Sequence, residues 1–126
     1  MNTNEMIDFF GEPIYSYDES EAVEDGVLCE NFRKDIFPEC NLLTSNLYER
    51  LKEVAFERSQ KNVFEVEPYF LLGCLMMGAK TIYESGNFKG DNDKDFFVMP
   101  KTDEGVVVWF VRNGNNKLTA MLPGDY

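Results

Sequence analysis

The 126-residue chain carries 23 acidic residues, 12 basic residues and no histidine, for a net charge of −11 and a pI near 4.3. That balance excludes a basic nucleic-acid-binding surface and argues against an anionic membrane partner. It also removes the commonest general base near neutral pH and the commonest metal ligand. The length predicts one domain, 1–126, and the 44% hydrophobic residues suffice to fill a core without covalent staples.

Met1–Phe10 lacks a basic region and a long apolar run, so it is expected not to be a signal peptide. Phe9-Phe10-Gly11-Glu12-Pro13 reads as a turn into a short strand, Ile14–Tyr17. Asp18 or Ser20 caps a short helix through Glu24, and Gly26 stops it by turning left-handed. Val27–Cys29 reads as a brief strand. Thr44 or Ser45 caps a helix running to about Ser59, with Leu47, Leu51, Val54 and Ala55 along one side. A second helix is announced by Glu65, Glu67 and Pro68, runs to about Ser85 and stops at Gly86. Its segment Tyr69–Ala79 is almost wholly apolar, which predicts a central buried helix, too short to span a bilayer. Gly73 and Gly78 allow a neighbour to approach closely.

The last third reads as β. Asp95–Met99 is one strand, and Val106–Val111 is apolar throughout and expected to be the middle strand, covered on both faces. Asn113-Gly114 signals a hairpin, and Leu118–Leu122 returns. The expected fold class is α+β: an acidic N-terminal third (1–40) with a short helix, two central helices (41–86), and a C-terminal three-stranded antiparallel meander (94–123).

The motifs exclude more chemistry than they propose. Cys29, Cys40 and Cys74 are odd in number and widely spaced, which fits reduced thiols in a cytoplasmic protein better than disulfides or zinc. There is no glycine-rich phosphate loop and no nucleophile elbow. Asp91-Asn92-Asp93-Lys94-Asp95 imitates the start of a calcium loop, but Phe96 stands where glycine is needed and Thr102 where glutamate is needed. It reads as a solvated loop. Phe96, Phe97, Trp109 and Phe110 could imitate a base-stacking platform, but such platforms need a positive groove, so these residues and Met76-Met77 read as core. No cofactor and no metal are expected.

The charge is uneven. Residues 1–40 hold eleven acids and two bases, a net −9, whereas residues 41–126 hold twelve acids and ten bases, a net −2. Asp18, Glu19, Glu21, Glu24, Asp25 and Glu30 concentrate this excess and are the candidate partner-binding residues. Two readings are open: a solvated face, or a surface matched to a cationic partner. In the second, carboxylates occupy a Lys/Arg groove that otherwise holds DNA or RNA.

The same segment carries a resemblance. Ile14-Tyr15-Ser16-Tyr17, then Ala22-Val23-Glu24-Asp25-Gly26-Val27-Leu28, resembles the opening of an uncharacterised family of small bacterial proteins. The close, Thr119-Ala120-Met121-Leu122-Pro123-Gly124-Asp125-Tyr126, is similar to that family's ending. The resemblance implies accessory cargo of plasmids, phages and integrated elements, and it implies no activity. Small acidic proteins of such elements are often inhibitors of host defence, which is analogy at the level of setting.

The first expectation is therefore a non-enzymatic anti-CRISPR or anti-restriction inhibitor in the bacterial cytoplasm. It would bind the basic surface of a host nuclease or guide-RNA effector complex, without touching nucleic acid or membrane itself. The alternative is an interaction module of the element, such as a homo-oligomer pairing through the edge of Leu118–Leu122. A third is a small-ligand binder or a carboxylate enzyme, which would need two carboxyl groups in one pocket.

Overall fold

The computed structural model describes residues 26–61, 66–88 and 90–126. The expected strand Ile14–Tyr17 and the short helix through Glu24 lie outside the described residues.

Gly26 adopts the left-handed conformation expected of it, at φ +76°. The chain then enters β1 (Leu28–Glu30), reverses through residues 31–39 and returns as β2 (Cys40–Thr44). Asn31 holds this reversal together. It is buried, its Nδ2 donates to the Cys40 carbonyl at 2.7 Å and to Met76 Sδ at 3.3 Å, and its Oδ1 accepts the Arg33 N–H. Phe37 is driven from the turn into the core.

Helix α1 (Ser45–Lys61) follows directly. Thr44 caps it, its Oγ1 accepting the Leu47 N–H at 3.2 Å, as the sequence predicts. Leu47, Leu51, Val54 and Ala55 are its buried residues, the four expected. Helix α2 (Pro68–Ser85) starts on Pro68 and stops at Gly86, whose φ of +70° lets its N–H return to the Ile82 carbonyl. Gly73 has the predicted close neighbour: a Cβ there would collide with the Arg33 guanidinium.

The remaining elements are β3 (Phe96–Val98), β4 (Trp109–Arg112), β5 (Leu118–Met121) and a short 3-10 turn, Pro123–Asp125. The α+β class holds. The three-stranded antiparallel meander does not. The described sheet has five strands in the order β1-β2-β5-β4-β3, with β2 and β5 parallel and the other neighbours antiparallel. Cys40-Asn41-Leu42-Leu43-Thr44, where the sequence predicts no strand, is the strand that closes against β5.

Two further corrections follow. The middle strand is β5, every residue of which is buried, and not the valine run. Val106 and Val108 are buried while Val107 and Trp109 are only half-buried, so that segment has one covered face. And because β5 pairs on both sides, Leu118–Leu122 has no edge to offer a second chain.

The β4–β5 hairpin forms where Asn113-Gly114 predicts it, with a longer loop. Asn113 N–H bonds the Lys117 carbonyl at 2.8 Å, and Asn116 takes the left-handed position at φ 59°. The Asn113 side chain spans the loop and donates to Asn41 Oδ1 at the irregularity in β2.

One rung crosses all five strands: Cys29, Leu43, Ala120, Phe110 and Phe97. All five belong to or pack against the main core, beneath Leu47, Leu72 and Met76 of the helices. Phe97 and Phe110 stack with centroids 5.0 Å apart and planes 6° apart, and Phe37 meets Phe110 edge-on at 6.2 Å. The expectation of aromatic core residues holds for this pair. Phe96 and Trp109 are instead half-buried neighbours at 5.1 Å, joined by Tyr126 at 5.8 Å from Trp109.

Candidate functional site

Of the six candidate partner-binding carboxylates, Asp18, Glu19, Glu21, Glu24 and Asp25 lie outside the described residues. Glu30 is at the end of β1, exposed, and 3.6 Å from Lys34 Nζ. Such an exposed pair contributes little to stability and leaves the carboxylate accessible.

The described end of the opening motif, Gly26–Leu28, and the closing motif meet at one place, the junction of β2 and α1. Gly26 offers its carbonyl to Ser45 Oγ, and Val27 offers its carbonyl to the Ser45 N–H at 3.0 Å. From the other end, Asp125 accepts from Thr44 Oγ1 and Asn46 Nδ2, each at 2.7 Å, and from the Leu122 N–H at 3.1 Å. Asp125 thus puts a carboxylate at the positive end of α1, where it also satisfies groups the helix leaves open. Gly26, Val27 and Asp125 are therefore fasteners of the fold.

The calcium-like loop is also accounted for internally. Asp93 Oδ1 accepts the N–H groups of Asp95 and Phe96, and Asp95 pairs with Arg112 at 3.0 Å. Arg112 also donates to Tyr83 Oη and to the Lys94 carbonyl, tying the loop to α2. Among the described residues no group of three or more metal-ligating side chains converges.

The three cysteines are free and occupy three environments. Cys40 is fully buried and its thiol is pushed up to about 12, chiefly by desolvation. Cys29 is half-buried and raised for the same reason. Cys74 is exposed on α2. Native protein should therefore show one rapidly reacting thiol with Ellman's reagent. Cys74→Ser should remove that phase, and Cys40 should react only on unfolding.

Helix α2 departs most from the sequence reading. Its inner residues Leu72, Met76 and Ala79 are fully buried, but Tyr69, Phe70 and Met77 are 54%, 63% and 60% exposed. With Cys74 they form an outer stripe within a stretch, Pro68–Ala79, that contains no charge. The helix is a half-buried layer, so the methionine pair divides: Met76 is core and Met77 is surface.

Beside this stripe, α1, α2 and the segment 99–108 enclose a cleft of about 310 Å³. Its borders include Val54, Leu71, Cys74 and Val106, with Arg58 and Thr102 as its polar members. No carboxylate lines it, so the two-carboxyl arrangement that an acid–base enzyme needs is not found in this cleft. Segment 99–108 is held to α1 by Arg58, which donates to both oxygens of Glu104 at 2.7 and 2.9 Å, and by Arg50, which donates to the Glu104 carbonyl.

The hydrogen bonds from Arg58 hold the Glu104 carboxyl at about 2, below its usual 4.5. A carboxyl depressed in the fold stabilises it fully above the unfolded value of 4.5 and loses that contribution as pH falls toward about 2. Urea midpoints measured from about pH 5 down to about pH 2.5 should fall less steeply in Glu104→Gln than in the parent. Equal slopes would show that the pair is screened by solvent at the Arg58 end.

Sequence reasoning missed this cleft and the outer stripe. Its one usable signal was the almost wholly apolar stretch Tyr69–Ala79, which can face the core on only one side unless a second layer covers the other. Comparison with known proteins adds no family: no family model matches the chain, and no curated protein or solved structure does so. None of the described helices is long and apolar enough to cross a membrane.

Proposed function

We propose that the chain is a non-enzymatic, protein-binding inhibitor carried by a mobile element, acting on the basic nucleic-acid groove of a host defence complex. The observation that carries this reading is the charge of residues 1–25, which hold eight carboxylates and no cation. No ion pair between side chains can form within that stretch. Across the described residues, by contrast, Arg33, Lys34, Arg50, Lys52, Arg58, Lys80 and Arg112 each pair with a nearby carboxylate. The charge excess therefore belongs to one end of the chain, and an opposing cationic surface is what lowers its self-repulsion. Such a row of carboxylates competes with phosphates for the same Lys and Arg side chains.

The test is retention of host proteins on the immobilised chain at low and high salt, with partners identified by mass spectrometry. A nuclease or guide-RNA complex retained at low salt, released at high salt and displaced by DNA supports the reading. Glu21→Lys with Glu24→Lys should then slow association with that partner by roughly ten- to a hundredfold. A partner indifferent to both salt and charge reversal would sink the proposal.

A second reading is an interaction module of the element's own machinery. The observation favouring it is the outer stripe of α2, where Phe70 and Met77 are exposed apolar side chains with no charged residue between them in the helix. Partners held through it should survive high salt and be lost in Phe70→Glu.

A further inference from the structure

The cleft between α1, α2 and segment 99–108 has a volume, a lining and a closed set of polar groups that together define what it can hold. We infer that it is a binding site for a small, uncharged, apolar molecule of single-ring size.

The floor comes from three elements: Val54 of α1, Leu71 of α2, and Val106 on the returning segment, all buried. Leu75 and Met99 stand at the side. The volume, about 310 Å³, is at the lower end of the range typical of small-molecule sites. It exceeds what a closely packed interior leaves between elements, and its mainly aliphatic lining is surface that an apolar guest would remove from water.

The polar members set the class of ligand. Arg58 directs Nε and Nη2 to the two Glu104 oxygens, and Thr102 Oγ1 accepts the Val106 N–H at 3.1 Å. The guanidinium charge is thus already matched by a carboxylate. An anionic ligand would have to compete with Glu104 for Arg58, and a cation would find no carboxylate in the lining to pair with. A neutral hydrocarbon-like molecule asks nothing of these groups. The exposed residues of the lining are Cys74 and Pro100, which mark its open rim. This inference stands independently of the inhibitor reading, which concerns the other end of the chain.

The experiment is a titration of methyl-labelled full-length protein with toluene, and separately with benzoate, followed by NMR. Toluene should give saturable shifts at the Val54, Leu71 and Val106 methyls, while benzoate should bind at least tenfold more weakly. Saturating toluene should also slow alkylation of Cys74 severalfold. Val54→Phe, which fills the floor, should abolish the shifts at Leu71 and Val106 and melt no lower than the parent. Should that variant fail to fold, Cys74→Trp closes the rim from an exposed position and should block binding equally. The inference is overturned by the absence of a saturable shift up to the solubility of toluene. It is equally overturned by benzoate binding as well as toluene, or by shifts that persist in the variant that folds.

Discussion

Replacing Phe110 with alanine is expected to lower the unfolding free energy by about 3–5 kcal/mol, the usual cost of deleting a buried aromatic ring. Phe110 is fully buried, stacks on Phe97 at 5.0 Å and meets Phe37 edge-on at 6.2 Å. Its neighbours in the rung are β3 on one side and β5 on the other, so the sheet cannot collapse inward to fill the space without moving paired strands. Because a domain of this size is stable by only about 5–15 kcal/mol, the variant should be marginal. Phe110→Leu, which keeps much of the volume, should cost about 1–2 kcal/mol. Urea denaturation followed by circular dichroism checks both. A midpoint for Phe110→Ala within error of the parent would mean that the aromatic layer does not hold the helices to the sheet.

The second large effect is expected at Asp125. Its carboxylate accepts three hydrogen bonds, from Thr44, Asn46 and the Leu122 backbone. Thr44 is buried and caps α1, so removing its partner leaves a hydroxyl inside the protein with one acceptor fewer. Asp125→Ala should therefore cost about 2–4 kcal/mol, since hydrogen bonds to a charged group are worth about 1.5–3 kcal/mol each before relaxation. Asp125→Asn retains an acceptor and should recover part of that. Hydrogen exchange gives the decisive readout: protection at Ser45–Leu47, the first turn of α1, should fall more than protection in α2. A uniform loss would show that Asp125 contributes to global stability without fastening the helix start.

Local chemistry was readable from the chain wherever a decision involved neighbours in sequence. Thr44 marks the start of α1 because its hydroxyl reaches an amide three residues on. Pro68 and Gly86 bound α2 because one lacks an N–H that the first turn does not need and the other accepts a positive φ. The burial of Leu47, Leu51, Val54 and Ala55 follows from helical period alone. Asn113-Gly114 fixed the hairpin, although not its loop length.

Decisions made between distant segments were hidden. Cys40–Thr44 is too short for a period to declare itself, and it is a strand because β1 pairs with it on one side and β5, more than seventy residues later, supplies a parallel partner on the other. The same pairing moves the centre of the sheet from the valine run to Leu118–Met121, whose Thr119 and Ala120 carry no strong apolar signal. An apolar helix reads as central, yet a single described sheet offers one face, so the opposite side of α2 stays exposed. The candidate carboxylates Asp18, Glu19, Glu21, Glu24, Asp25 and Glu30 were visible by composition alone, because charge needs no partner to be counted. The cleft was not, because an enclosed volume exists only between elements. By itself the sequence determined the helices, their caps and the sign and location of the charge, all set by interactions within a few residues. The tertiary structure alone decided the strand order, the buried face of each element and the space between them, because those depend on which distant segments exclude water together.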